Sequence, residues 1–146
     1  MMRRRLFAIA LALLVATGAV AQQAAVFEDV SGKVEVRPPG GSWRTAQEGE
    51  QIPLNATVST GFGSEASLSL GRSTVVMKAL SRMTVEELAE REGVSQRSAR
   101  MEVGRVRAQV RSAEGVRTNF QMAGPSSTAS VRGTGFYFDT VMLLVT

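Results

Sequence analysis

The residues best placed to do chemistry run from Glu86 to Arg107, "EELAEREGVSQRSARMEVGRVR". Their types and spacing resemble a DNA-reading helix-turn-helix. Leu88, Ala89, Gly93 and Val94 stand where such a unit needs its packing leucine, small crossing residue and turn, and Arg97 and Arg100 would face a groove. Thr84 offers a helix cap ahead of an acid-rich first turn. Three features oppose this. Glu92 sits before the turn glycine, where two packed helices need an apolar residue. Glu102 stands where the second helix needs a hydrophobic anchor. "RVRAQVR" alternates, with Val106, Ala108 and Val110 on one side and Arg105, Arg107, Gln109 and Arg111 on the other. A helix can also use Val103, Val106 and Val110, so the period alone does not decide. A DNA-binding unit needs a third packed helix, however, and both flanks of this stretch alternate as strands do. The sequence therefore predicts that "VEEL" ends one strand and "AEREGVSQRSAR" is a polar connection with room for a helical turn. "MEVGRVRAQV" then begins the next strand, with Gly104 as a bulge. The alternative is a helix-turn-helix regulator through residues 84–107; on the preferred assignment nucleic acid is not an expected partner.

Arginines remain to be explained. Arg91 to Arg117 holds seven arginines and three acids. One account is a solvated sheet face whose long side chains cover apolar surface and deter edge pairing. The other is a patch for anionic envelope material, centred on Arg105, Arg107 and Arg111. The interleaved Glu102 and Glu114 favour the first.

Catalytic constellations are missing. With no histidine and no cysteine, Ser-His-Asp and Cys-His catalysis, thiolate metal sites and disulfides are excluded. Glu48, Glu50 and Asp139 are carboxylates that nothing in the sequence pairs at a working separation. "EELAERE" is a run of charges without a metal-loop pattern. The expectation is a non-enzyme with no catalytic residues, no metal and no cofactor.

The elements that position these residues begin with an export segment. Arg3, Arg4 and Arg5 precede the apolar run "LFAIALALLVATGAV", and Ala19-Val20-Ala21 has the small residues of a cleavage site. Residues 1–21 are expected to be a signal peptide and 22–146 one mature domain, periplasmic or secreted, with no stable transmembrane segment. An uncleaved anchor or a buried core helix is the competing assignment of the run. The whole chain has 17 Lys+Arg against 13 Asp+Glu, and removing the three leader arginines leaves 14 against 13. A global charge for nucleic acid is then gone.

Within 22–146 the period is two. Val34 and Val36 alternate with charged residues until "PPGG" at Pro38–Gly41 stops the run. Ile52, Leu54 and Val58 are expected inward, as are Ala66, Leu68 and Leu70, then Val75, Met77 and Ala79, then Met83 and Val85. Val116, Thr118, Phe120 and Met122 make a later inward row, and Trp43 is expected to plug the edge of the core. "GKVEV" at 32–36 and "GRVRA" at 104–108 form a weak internal echo. Short strands at eight- to twelve-residue spacing predict an all-β domain, a sandwich, barrel or solenoid, with a solenoid-like or sandwich-like stack preferred.

The ordered set "VSGKVEV", "SWRTAQEGEQI", "STGFGSEASLSL", "MEVGRVRAQV", "TNFQM" and "ASVRGTGFYFD" resembles the FecR-domain family of bacterial envelope proteins. Its strongest element covers Val131, Arg132, Gly133, Thr134, Phe136, Phe138 and Asp139. By the residues themselves this block is structural: glycines for a bulge, Phe136 and Phe138 for the core, and Arg132 to bond nearby carbonyls or Asp139. The resemblance implies a mostly β, solenoid-like or sandwich-like domain. In the founding members the domain signals from an outer-membrane transporter through a membrane helix to a sigma-factor regulator. The sequence shows no later spanning segment and no regulator-like part, so the signalling role itself is not expected to carry over. What the resemblance implies here is the exported domain alone, a binding or scaffolding module for an envelope protein or glycan, tied to envelope signalling only through its family. The family pattern tends to continue past "FDT" with a further strand pair, whereas here "VMLLVT" follows. The sequence is thus either a natural short form or a truncated one.

Overall fold

A computed structural model describes residues 24–132 and 135–140. The expected signal peptide, Gly133, Thr134, the side chain of Phe136 and the final "VMLLVT" lie outside the described residues. Among the described residues there are twelve strands and no helix: β1 (Ala25–Ser31), β2 (Val34–Arg37), β3 (Arg44–Thr45), β4 (Gln51–Ile52), β5 (Thr57–Thr60), β6 (Glu65–Leu70), β7 (Ser73–Met77), β8 (Arg82–Arg91), β9 (Val94–Gln109), β10 (Arg117–Ala123), β11 (Thr128–Val131) and β12 (Gly135–Thr140). The all-β expectation holds. The arrangement is an open, curled, mostly antiparallel sheet, like a half-barrel.

Strand order along the main path is β3-β2-β5-β8-β9-β7-β6-β1-β4. Strand β9 is 16 residues long and serves both halves. Its first half lies between β8, antiparallel, and β10, parallel; its second half lies between β7 and β12, both antiparallel. The inward face changes parity between the halves. Ser95, Arg97, Ala99 and Met101 are buried on odd positions, then Val106, Ala108 and Val110 on even ones. Gly104 stands between them with φ +104°, and the pairing with β8 shifts register between Arg82 and Met83. The irregularity expected at Gly104 thus bends one strand around the core, as a bulge increases local twist.

The hairpin β8–β9 overturns the expected polar connection. Its strands pair up to Arg91 and Val94, leaving only Glu92 and Gly93 as the turn, with φ +49° and +75°. Two successive positive φ values are those of a tight turn whose twist matches that of the flanking strands. Helix-favouring residues such as Glu87, Leu88 and Ala89 are in strand because burial of Leu88 and pairing with β9 outweigh local propensity. No helix lies in residues 84–107, so the helical pair of a helix-turn-helix is not formed.

Both halves bury their inward rows in one core. Phe27, Leu68, Leu70, Val75, Met77 and Val106 come from one half, and Val34, Val36, Val58, Met83, Val85, Met101, Phe120 and Met122 from the other. Ala79 departs from its expected inward place and lies exposed in the β7–β8 turn. The echo "GKVEV"/"GRVRA" has a structural counterpart. Gly32 and Gly104 both have positive φ, and the next residue in each case, Lys33 or Arg105, donates its backbone N–H to a serine Oγ, Ser64 at 2.8 Å or Ser81 at 2.9 Å.

Candidate binding surface

Arg105 and Arg107 project from the outer face of β9, where alternation puts them opposite buried Val106 and Ala108. Arg105 does not stand as free positive charge. Its Nε and Nη2 donate to Asp139 Oδ2 at 2.8 and 2.7 Å, across the β9–β12 register that pairs these two residues. Arg111 lies beyond the end of β9, with Nη2 3.4 Å from Gln109 Oε1. Other cations nearby are matched as well: Arg100 Nε donates to Glu86 Oε1 at 2.6 Å, and Arg82 lies 3.7 Å from Glu102. The geometry is that of an interleaved charged sheet face.

The "VRGTGFYFD" block divides. Val131 packs half-buried against the core, Phe138 is buried, and Arg132 is exposed beside Ser112, Val116, Arg117 and Thr118. Asp139 is bound by Arg105, the partner that register supplies, rather than by Arg132. Asp139 also lines a cavity of about 260 Å³ with Glu102, Val103, Pro125, Ser126, Ser127 and Thr140. Glu50 binds Arg44 and accepts the Gln47 N–H, which ties the β3–β4 connection and raises the Arg44 pKa through their hydrogen bond. Among the described residues no group of three or more acids gathers to hold a metal ion.

A different surface gathers what charge patterning does not show. The exposed large apolar side chains among the described residues are Phe62, 90% exposed, Leu80, Val103 and Trp43. Phe62 is in the β5–β6 turn and Leu80 in the β7–β8 turn, and the Leu80 N–H donates to Gly61 at 3.2 Å, so the two turns adjoin. Leu80 and Val103 share a groove of about 180 Å³ with Ser59, Thr60, Ser81 and Arg82. Arg82 in turn covers the Trp43 ring at 5.6 Å, while Arg37 covers it at 4.8 Å. Trp43 is therefore not the expected plug over the core. It lies on the surface with two guanidinium groups near its ring, contacts that are attractive for both. One rim thus carries Phe62, Leu80, Val103 and Trp43 linked through Arg82. The sequence signal for it was slight: an aromatic between glycines at "GFGS" and a leucine just past a strand's end.

Arg97, expected to face outward, is inward. Its side chain is buried, its Nε has no hydrogen-bond partner, and burial lowers its pKa, partly offset by Glu90. A buried unpaired charge costs several kcal/mol, on the order of the penalty that buried ion pairs must offset. The signal was the run Ser95, Arg97, Ala99, Met101, which continues the strand's period of two.

No family model matches this chain, and no curated protein or solved structure matches it.

Proposed function

We propose that this chain is a non-enzymatic, exported FecR-like module that binds or scaffolds a protein partner in the bacterial envelope, in the periplasm or outside the cell. The observation that carries the proposal is the rim of Phe62, Leu80, Val103 and Trp43. Adjoining exposed apolar side chains bordered by arginine have the composition of a protein-binding centre, in which aromatic and arginine residues contribute most of the energy. A sheet that presents Phe62 and Leu80 on adjoining turns suits a scaffold. An anionic glycan on Arg105, Arg107 and Arg111 has less support, because Asp139 neutralises Arg105.

A photo-crosslinking residue placed at Phe62 in the full chain, expressed in its native envelope, tests the proposal. A discrete protein adduct is expected, lost when Leu80→Ser and Val103→Ser are added while the β-type circular dichroism spectrum is kept. No adduct, or an adduct indifferent to those two substitutions, refutes the rim as the binding surface. Recovery of the chain in the cytoplasm with residues 1–21 intact refutes the exported assignment.

A further inference from the structure

At the other end of the strands from the apolar rim is a cavity of about 200 Å³ lined by Ala24, Gly71, Arg72, Leu88, Glu90 and Arg97. The opposition follows from chain direction: β6 starts at Glu65, just past the Phe62 turn, and ends at Leu70, just before Gly71. Arg97 enters from the inward face of β9, between Leu88 of β8 and Phe120 of β10, both buried. Its guanidinium packs against Gly71. A Cβ on that glycine would stand 2.5 Å from Nη2, 2.7 Å from Cζ and 2.8 Å from Nη1, and Gly71 also has φ +68°. The turn that Gly71 permits is thus also the seat of the cation.

Among the described residues nothing neutralises that cation by contact. Arg97 has no ion pair within 4.0 Å among the described residues, and its buried Nε is without a hydrogen-bond partner. The residues outside the described set include no Asp or Glu. Glu90, on the cavity wall, acts on Arg97 only at longer range. Arg82 and Arg100 of the same hairpin are paired by contrast, with Glu102 and Glu86. A buried guanidinium is a fixed fork of donors matched to a planar carboxylate.

We propose that this cavity is a binding site for a short aliphatic monocarboxylate, held by Arg97 with Arg72 at its mouth and its alkyl chain against Leu88 and Ala24. The lining charges choose the ligand. Two arginines and one glutamate leave one net positive charge, which suits a monoanion, and Glu90 opposes a second negative charge on the ligand. Leu88 and Ala24 give the apolar wall that an inorganic anion would not use. The site stands independently of the envelope proposal, since it makes no use of the rim.

Nuclear magnetic resonance reads it directly, because the Arg97 Nε–H and the Leu88 methyls are separate probes of the two ends of the ligand. Butyrate added to the purified chain is expected to shift both sets of signals saturably. Sodium chloride at equal ionic strength is expected to shift neither. In an Arg97→Met chain the saturable Leu88 response to butyrate should be lost. Absence of a saturable butyrate response overturns the site, as does an equal response to chloride, which would be screening alone. An equal or larger response to inorganic phosphate overturns the monocarboxylate assignment. The wild-type titrations decide the question even if the variant fails to fold.

Discussion

Gly104 lies against Ser81 so closely that a Cβ on the glycine would overlap the serine's Cα and Oγ. The serine Oγ at the same time accepts the Arg105 N–H at 2.9 Å and donates to the Arg105 carbonyl at 3.1 Å. The bend in β9 is therefore pinned to the β7–β8 turn. Gly104→Ala is expected to cost about 3 kcal/mol, since a strained backbone adds about 1–3 kcal/mol and overpacking a similar amount. Ser81→Ala strands the Arg105 N–H and should cost about 1–3 kcal/mol. Urea denaturation followed by circular dichroism measures both. A loss under 1 kcal/mol for Gly104→Ala would mean the bend does not depend on this contact.

The corresponding corner at Gly32 and Ser64 should be the weaker of the two. There a Cβ would first meet Ser64 Oγ at 2.5 Å, with Cβ and Cα at 3.0 and 3.1 Å, so rotation of the hydroxyl relieves part of the overlap. Gly32→Ala is expected to cost about 1–2 kcal/mol, the left-handed penalty for an L residue. Gly32→Ala should thus lie below Gly104→Ala in the same denaturation series. The reverse order would separate the two corners despite their shared hydrogen bond.

These corners also show what could be read before folding. "GKVEV" and "GRVRA" were visible as an echo, but the serines that complete each corner stand 32 and 23 positions away in sequence, so the partner was invisible. Inward rows such as Ala66, Leu68 and Leu70 were legible because a half-buried strand alternates with a period of two. The β8–β9 hairpin was not, because Glu87, Leu88 and Ala89 favour helix locally and Glu92 is an unusual residue for a turn with positive φ. Pairing of residues 82–84 with β5 and of 94–100 with β10, both distant in sequence, fixes the two strands that this stretch joins. Arg97 was misplaced for the same reason: taking its neighbourhood as a loop removed the alternation that points it inward. Phe62 and Leu80 could not be joined from sequence, since their turns meet only through the sheet.

Arg97 in a core position predicts a stability response opposite to that of most core substitutions. Arg97→Met keeps much of the side chain's length and removes a buried charge without an ion-pair partner. The folded chain is expected to be as stable as the parent or more stable by about 1–2 kcal/mol, within the range seen when buried charges are replaced by packed apolar groups. Thermal and urea denaturation measure this. A loss of more than about 2 kcal/mol would show that the guanidinium is held by contacts that offset its desolvation.

The Arg105–Asp139 pair joins β9 to β12, yet both side chains are well exposed. Asp139→Asn should therefore cost less than about 1 kcal/mol, and the difference should shrink in 1 M salt. Double-mutant cycles with Arg105→Gln at low and high ionic strength measure the coupling. A coupling well above 1 kcal/mol that persists in salt would mark the pair as part of a sealed edge.

Leu80 offers the sharpest separation of stability from binding. It is exposed, and its φ of +56° is left-handed, a conformation that costs a residue with a Cβ about 1–2 kcal/mol. Asparagine tolerates that region better and would sit in the same turn, whose N–H still donates to Gly61. Leu80→Asn is expected to raise stability by about 0.5–1 kcal/mol, because backbone strain is relieved and no buried contact is lost. The same substitution removes an apolar side chain from the rim beside Val103 and Phe62, so partner capture through Phe62 should weaken by several fold. Denaturation and crosslinking on one preparation test both halves. A more stable chain with unchanged capture would remove Leu80 from the binding surface, and a less stable chain would show that its side chain packs in a way its exposure does not reveal.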